Sequence, residues 1–311
     1  MNLDEMIIAA FCEIDDAMNE LLCRLPKGRK LKPRLRSRGP QPRLRDSEVL
    51  TMEVIGAYLG LECDHAIYRF FTRHYAHFFP ALTRVHRTTF VRQAANLSHC
   101  KEHLWQQWLC DTPHQREFGL IDSLPLPMCR FARATFCRRF RFEDVQGVCA
   151  TYGYDHVARQ TFWGLRLHVH VAWPGLITKL SLAPAHESDV ALAPQLLQEQ
   201  SGLVLGDRNY HSPQLQQELA CQTPTLKLLA PFKNKKHDPQ PKRSRALSHW
   251  RYRIESVFNQ LCTRFRCKHV YARDVWHLTN RLLRVVLCHT LCFRLNIQQG
   301  NQPLQFAKLA G

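Results

Sequence analysis

Two acids follow short apolar runs in this 311-residue chain. Asp122 comes directly after Phe118-Gly119-Leu120-Ile121, and Asp207 follows Leu203-Val204-Leu205-Gly206. Each run reads as a buried strand, and in an open α/β sheet chemistry collects beyond the carboxyl ends of strands. A lone acid at such a place also serves as a turn former or helix cap, so the pair invites a search for a third group. The best candidate is Glu255. Trp250, Ile254, Val257, Phe258, Leu261 and Phe265 have helical spacing, which predicts an amphipathic helix over 250–265. Glu255 falls about 110° from the centre of that apolar stripe, where a carboxylate can be aimed at a shared site while the helix packs on a sheet. Arg251, four residues earlier, can reach it, so an exposed Arg–Glu pair is the plain alternative. As oxygen donors, the three acids are candidate ligands for a hard cation.

The elements that would position them read as follows. Leu165, Leu167, Val169 and Val171 alternate within Trp163–Trp173, Pro174-Gly175 marks a turn, and Leu176–Leu182 is the returning strand. Ser188-Asp189 reads most simply as the cap of a helix over 190–198, and Ser212-Pro213 opens a short helix ending at Leu219. Thr225–Leu229 reads as a fifth strand. Strands mixed with helices in this order imply an α/β domain, here residues 111–311 with C-terminal helices. Ahead of it, Leu3, Ile7, Phe11, Ile14, Met18 and Leu21 share one helical face. Asp46-Ser47 reads as an N-cap region, and further helices are expected around Ile67–Tyr75 and Thr88–Leu97. The pattern predicts a small all-helical N-terminal domain over 1–110. A helix-turn-helix DNA reader and a dimerisation or structural module both fit it. No internal repeat is visible.

Composition narrows the partners. Lys and Arg total 43 against 26 Asp and Glu, a formal net charge of +17, while 45% of residues are hydrophobic. A chain able to bury a core but carrying this much self-repulsion is expected to meet a polyanion, and nucleic acid fits through counterion release. Nine Lys or Arg lie between Lys27 and Arg45, inside a linker over 24–45 that reads as a phosphate-contacting arm. The basic loop from Lys233 through Lys235 and Lys236 to Arg245 is either a DNA-contacting surface or a solvated one. The run Arg130–Phe142 interleaves aromatic and basic residues. It reads either as a platform for unpaired bases or as an edge strand with a basic face. No run approaches about 18 apolar residues, so no membrane span is expected. The start, Met1-Asn2-Leu3-Asp4-Glu5, is acidic where a signal peptide is basic. The 13 cysteines are an odd number without a Cys-x-x-Cys pair and read as reduced thiols of a cytosolic protein. His168 and His170 share one strand face, but strand histidines are more often structural than zinc-binding.

Leu120-Ile121-Asp122-Ser123, Leu205-Gly206-Asp207-Arg208-Asn209-Tyr210 and Arg251-Tyr252-Arg253-Ile254-Glu255-Ser256-Val257-Phe258 resemble the three motifs of DDE transposases of bacterial insertion sequences. Phe162–His168 and Leu182–Asp189 resemble that family's strand pair and the turn after it. The likeness covers roughly residues 115–270. It implies an RNase H-like mixed sheet flanked by helices, with Asp122, Asp207 and Glu255 as catalytic metal ligands. It further implies two Mg²⁺ or Mn²⁺ ions, with Asp122 bridging both, and in-line displacement at phosphorus. The expected activity is cutting at terminal inverted repeats and joining the freed 3′-hydroxyl to target DNA, by a homodimer in the bacterial cytoplasm at the nucleoid. A DNA-binding derivative without cleavage and a plain RNase H-like nuclease are the rivals. Two positions depart from the family pattern: Ser248 stands where many relatives have Tyr, and Cys262 where they have Lys or Arg. Arg251, Arg264 and Lys268 are therefore the candidates for contact with the terminal phosphate.

Overall fold

The computed structural model describes residues 1–23, 42–144 and 147–309. Most of the basic linker, with its cations from Lys27 to Arg38, lies outside the described residues. The chain forms two compact units. One comprises Met1–Thr112, Arg264–Arg266 and Thr279–Gly311, the other Pro113–Thr263 and Cys267–Leu278.

The first unit is helical: α1 (Leu3–Cys23), α2 (Asp46–Tyr58), α3 (Asp64–His74), α4 (Arg87–Asn96), α5 (Ser98–Asp111) and most of a C-terminal helix, Val275–Gln298. α2 is buried on nearly every side, so its polar residues need internal partners. Glu53 finds Lys101 of α5 at 2.8 Å and Arg284 of the C-terminal helix at 3.7 Å. Lys101 also donates to Asn280 at 2.6 Å, and Arg284 pairs with Asp64 at 2.6 Å. Residues 279–311, grouped with the α/β domain in the sequence-based division, thus pack with this helical unit. The cap expected at Asp46-Ser47 sits one residue earlier: Arg45 precedes the helix and its N–H donates to Glu48 at 2.6 Å.

The second unit is built on a mixed sheet of six strands: β1 (Gln115–Pro127), β2 (Thr151–Asp155), β3 (Gln160–Trp173), β4 (Leu176–Pro184), β5 (Gly202–Leu205) and β6 (Leu226–Leu229). The order is β2-β3-β1-β5-β6, with β4 also on β3. β3 is antiparallel to β1, β2 and β4, while β5 is parallel to both β1 and β6. α6 (Asp189–Leu197) and α7 (Pro213–Gln222) cover one face. There Ile121, Val204, Leu226 and Leu228 meet Leu196, Leu197, Leu215 and Tyr210. α8 (Pro241–Trp250) and α9 (Tyr252–Thr263) follow, with α9 against β1.

Three local expectations change. The helix foreseen over 250–265 is broken at Arg251, so Trp250 ends α8 and Phe265 lies beyond α9. The basic loop foreseen up to Arg245 stops at Pro241, whose fixed φ suits the first turn of α8. The Arg130–Phe142 run is not a strand but carries a 3₁₀ turn, Phe131–Phe136. Among the described residues no helix is long and apolar enough to cross a membrane.

Removing one partner of the interior ion cluster leaves an uncompensated charge, which costs about 3–5 kcal/mol. Glu53→Ala is therefore expected to lower unfolding stability by that amount in urea titration, against less than about 1 kcal/mol for a surface pair such as Arg273–Asp274.

Candidate active site

Strand lengths create the site. β5 pairs with β1 only at Phe118–Leu120, whereas β1 runs on beside β3, with Asp122 opposite Val169. Asp122 therefore lies within a strand and not at its end, but past the point where its β5 neighbour stops. Successive side chains alternate faces, so Ile121 enters the core under α6 and α7 while Asp122 turns to the other side. Asp207 lies two residues beyond β5, where its Oδ1 caps a 3₁₀ turn by accepting from the Asn209 N–H at 2.8 Å. Glycine is required at 206: a Cβ there would stand 2.7 Å from the buried Tyr210 ring. The third acid comes from α9. Trp250 packs on Trp173 (ring centroids 5.2 Å) and on Phe118 (6.0 Å), and the Arg253 guanidinium lies 5.0 Å from the Trp173 ring. These contacts hold the α8–α9 junction on β1 and β3 and carry Glu255 to the cleft.

A cleft of about 500 Å³ is lined by Asp122, Asp207 and Glu255, together with Asp189, Arg166, Arg251, Cys262 and Lys268. Asp122 accepts the Ser123 N–H on Oδ1 at 2.8 Å and Arg251 on Oδ2 at 2.6 Å. Burial nevertheless raises its pKa to about 6, against the lowering by Arg251, with Asp207 and Asp189 adding to the rise. Burial raises Asp207 as well, again opposed by Arg251. The cleft lining carries five acids, Asp155 among them, against the cations Arg166, Arg251 and Lys268. Among the described residues no three His, Cys, Asp or Glu side chains are close enough to form a ready metal cage. Arg251 is the counter-charge on Asp122.

Of the expected basic contacts, Arg251 and Lys268 line the cleft, the latter with Nζ 3.8 Å from Asp155. Arg264 does not: it belongs to the helical unit and sits 4.7 Å from the Tyr58 ring. Lys233, Lys235 and Lys236 are exposed on the segment after β6, outside the cleft lining. Two further residues, Arg166 and Asp189, line the cleft. Arg166 is aimed across the sheet by bonds to the carbonyls of Tyr154 (2.7 Å) and Ala185 (3.2 Å) and to the Ser123 hydroxyl (3.3 Å). Asp189 follows the true cap, Ser188, and its buried Oδ1 has no hydrogen-bond partner, with His168 Nδ1 at 3.7 Å. His168 and His170 are fully buried strand residues, and burial lowers both to about 4, so they are neutral.

A mixed α/β unit with a carboxylate-lined cleft is the class these features define. A family model described as the transposase DDE domain matches residues 113–291, and the chain belongs to that family, whose members cut and join DNA. Comparison with curated proteins yields no match. Among solved structures, a chain in the cryo-EM structure of the piggyBac transposase synaptic complex with hairpin DNA is similar at 10% identity and a TM-score of 0.44. The similarity covers 96% of this chain and 76% of that one.

The raised Asp122 pKa has a measurable sign. The folded state holds this proton more tightly than the unfolded chain does, so the stabilisation is complete at low pH and is lost as pH rises through about 6. Asp122→Asn, measured without divalent metal, is expected to gain Tm relative to the parent chain as pH rises from about 5 to 7.5. A pH-independent Tm difference would contradict it.

Proposed function

We propose that this protein is a DNA transposase of the insertion-sequence type. In this reading an RNase H-like catalytic unit uses Asp122, Asp207 and Glu255 to hold two Mg²⁺ or Mn²⁺ ions. The observation that carries the reading is the single cleft lined by all three acids, which lie 85 and 48 residues apart in sequence. The donor set suits such ions: carboxylate oxygens are hard ligands, and the cleft lining carries five Asp or Glu against three Lys or Arg. When bound, paired divalent ions activate an attacking oxygen and stabilise the leaving one at phosphorus. The chain's own residues do the rest. Asp122 is fixed by the sheet, with a backbone N–H on one oxygen. Glu255, exposed on α9, has the rotamer freedom to close on the site. Arg251, which would leave Asp122 if a metal cation took its place, is near enough to meet a phosphate in the cleft, as are Arg166 and Lys268. Asp189, whose buried Oδ1 has no hydrogen-bond partner, is a fourth carboxylate on the same cleft.

Terminal cleavage uses water to free a 3′-hydroxyl; attack of that hydroxyl on target DNA then breaks one phosphodiester as it forms another, so the joining needs no ATP. Two ends must be held together, so the working form is a homodimer on DNA in a bacterial cytoplasm. Residues 1–110 and the basic linker are the proposed end-binding and pairing region.

The test uses a duplex carrying the terminal inverted repeats that flank the gene, incubated with Mg²⁺ and analysed on a sequencing gel. Nicking and strand transfer are expected from the parent chain, and Ala at Asp122, Asp207 or Glu255 is expected to reduce nicking at least about 10³-fold. Binding without nicking would make the protein a DNA-binding derivative. Nicking without transfer would make it a nuclease, and nicking that survives all three substitutions would sink the site.

A further inference from the structure

A second groove of about 800 Å³ adjoins the acidic cleft, and Lys268 lines both. Its walls come from two segments, Pro127–Phe131 and Lys268–Tyr271, with Gln160, Thr161 and Phe162 of β3 alongside. The two segments are fastened by one side chain. Arg139 donates to the carbonyls of Val270 (3.1 Å) and Ala272 (3.2 Å) on one side and to that of Met128 on the other. Three carbonyls on a single guanidinium make this a built groove and not a gap between loose loops.

Its lining differs in kind from that of the cleft. No Asp or Glu lines it, while Arg130 and Lys268 do. Phe131 and Tyr271 are 56% and 64% exposed, far more than large aromatic side chains usually are. Phe131 is also braced from behind, edge-on to Tyr152 at 6.1 Å, which in turn packs on Trp163 at 4.9 Å. Exposed rings on a supported backing, flanked by cations and free of carboxylates, suit a base face and its phosphate. The stacked bases of a duplex offer no free face to such rings, so the fitting occupant is an unpaired nucleotide. We infer that this groove binds an unpaired nucleotide of the DNA strand next to the scissile phosphate. The base stacks on Phe131 and Tyr271, while Arg130 and Lys268 carry the backbone over from the cleft. The inference rests on the reading of the acidic cleft as the DNA-cutting site, but binding can be measured without cutting.

The experiment uses the full chain in EDTA at one fixed salt concentration, because phosphate contacts vary with salt. Fluorescence anisotropy compares a labelled single-stranded oligothymidylate with an abasic oligonucleotide of equal length and with a duplex. The parent chain is expected to prefer the base-bearing strand to the abasic one by about 5- to 100-fold, the worth of base stacking. Phe131→Leu combined with Tyr271→Leu is expected to abolish that preference while leaving abasic and duplex binding within about twofold, and Phe131→Trp to keep it. A parent chain without the preference, a leucine pair that retains it, or an equal loss on all three probes each overturns the inference. Asp122→Ala is expected to keep the preference whatever it does to nicking, so failure of the cleavage reading shows separately.

Discussion

The ion pair between Asp122 and Arg251 is the constraint around which the α/β unit is arranged. Acids crowd a partly dehydrated cleft, and the sheet fixes one of them, Asp122, so that it cannot retreat into water. A guanidinium has to come to it. Arg251 arrives from a break between two helices, and that break is itself held by Trp250 and Arg253 on the ring of Trp173. Once the junction is pinned, helical geometry places Glu255 one turn further along α9, on the cleft. The broken helix, the aromatic anchor and the grouping of acids are thus parts of one electrostatic arrangement.

How much of this was readable in the sequence depended on how local each feature is. The β3–β4 hairpin follows from alternation and a Pro-Gly turn. β5, Gly206 and Asp207 follow from a short apolar run ending in Gly-Asp. β2 was not readable, because a five-residue strand reading Thr-Tyr-Gly-Tyr-Asp, with both tyrosines exposed, has no apolar face to betray it. The break at Arg251 was hidden for the opposite reason: apolar spacing runs from Trp250 into α9 without a Gly or Pro to interrupt it. The salt bridge made at the break joins residues 129 positions apart.

The same distinction governs the cations. Arg264 and Lys268 are close neighbours in sequence, yet one stacks on Tyr58 in the helical unit and the other lines the cleft. Nothing local separates them, since the chain changes compact unit at Arg264–Arg266 and returns at Cys267. The placement of residues 279–311 has a similar origin. Asn280 and Arg284 look like ordinary polar positions of an amphipathic helix until Lys101, Glu53 and Asp64 are set beside them. Two groups of acids are thus set apart by their partners, one paired inside a helical interior and one lining a cleft.

The shortness of β5 has a consequence for how such a chain can drift over generations. Its four residues leave Asp122 without a β5 neighbour, and both Asp122 and Asp207 line the cleft beside that gap. Two added residues at its carboxyl end would extend the ladder along β1, wall off Asp122, and move Asp207 about 7 Å from its station. Insertions around the 3₁₀ turn at Lys235 only lengthen an exposed connection. Tolerance to length change in this lineage should therefore be lopsided, with a frozen interval from Gly202 to Asp207 beside freely varying loops.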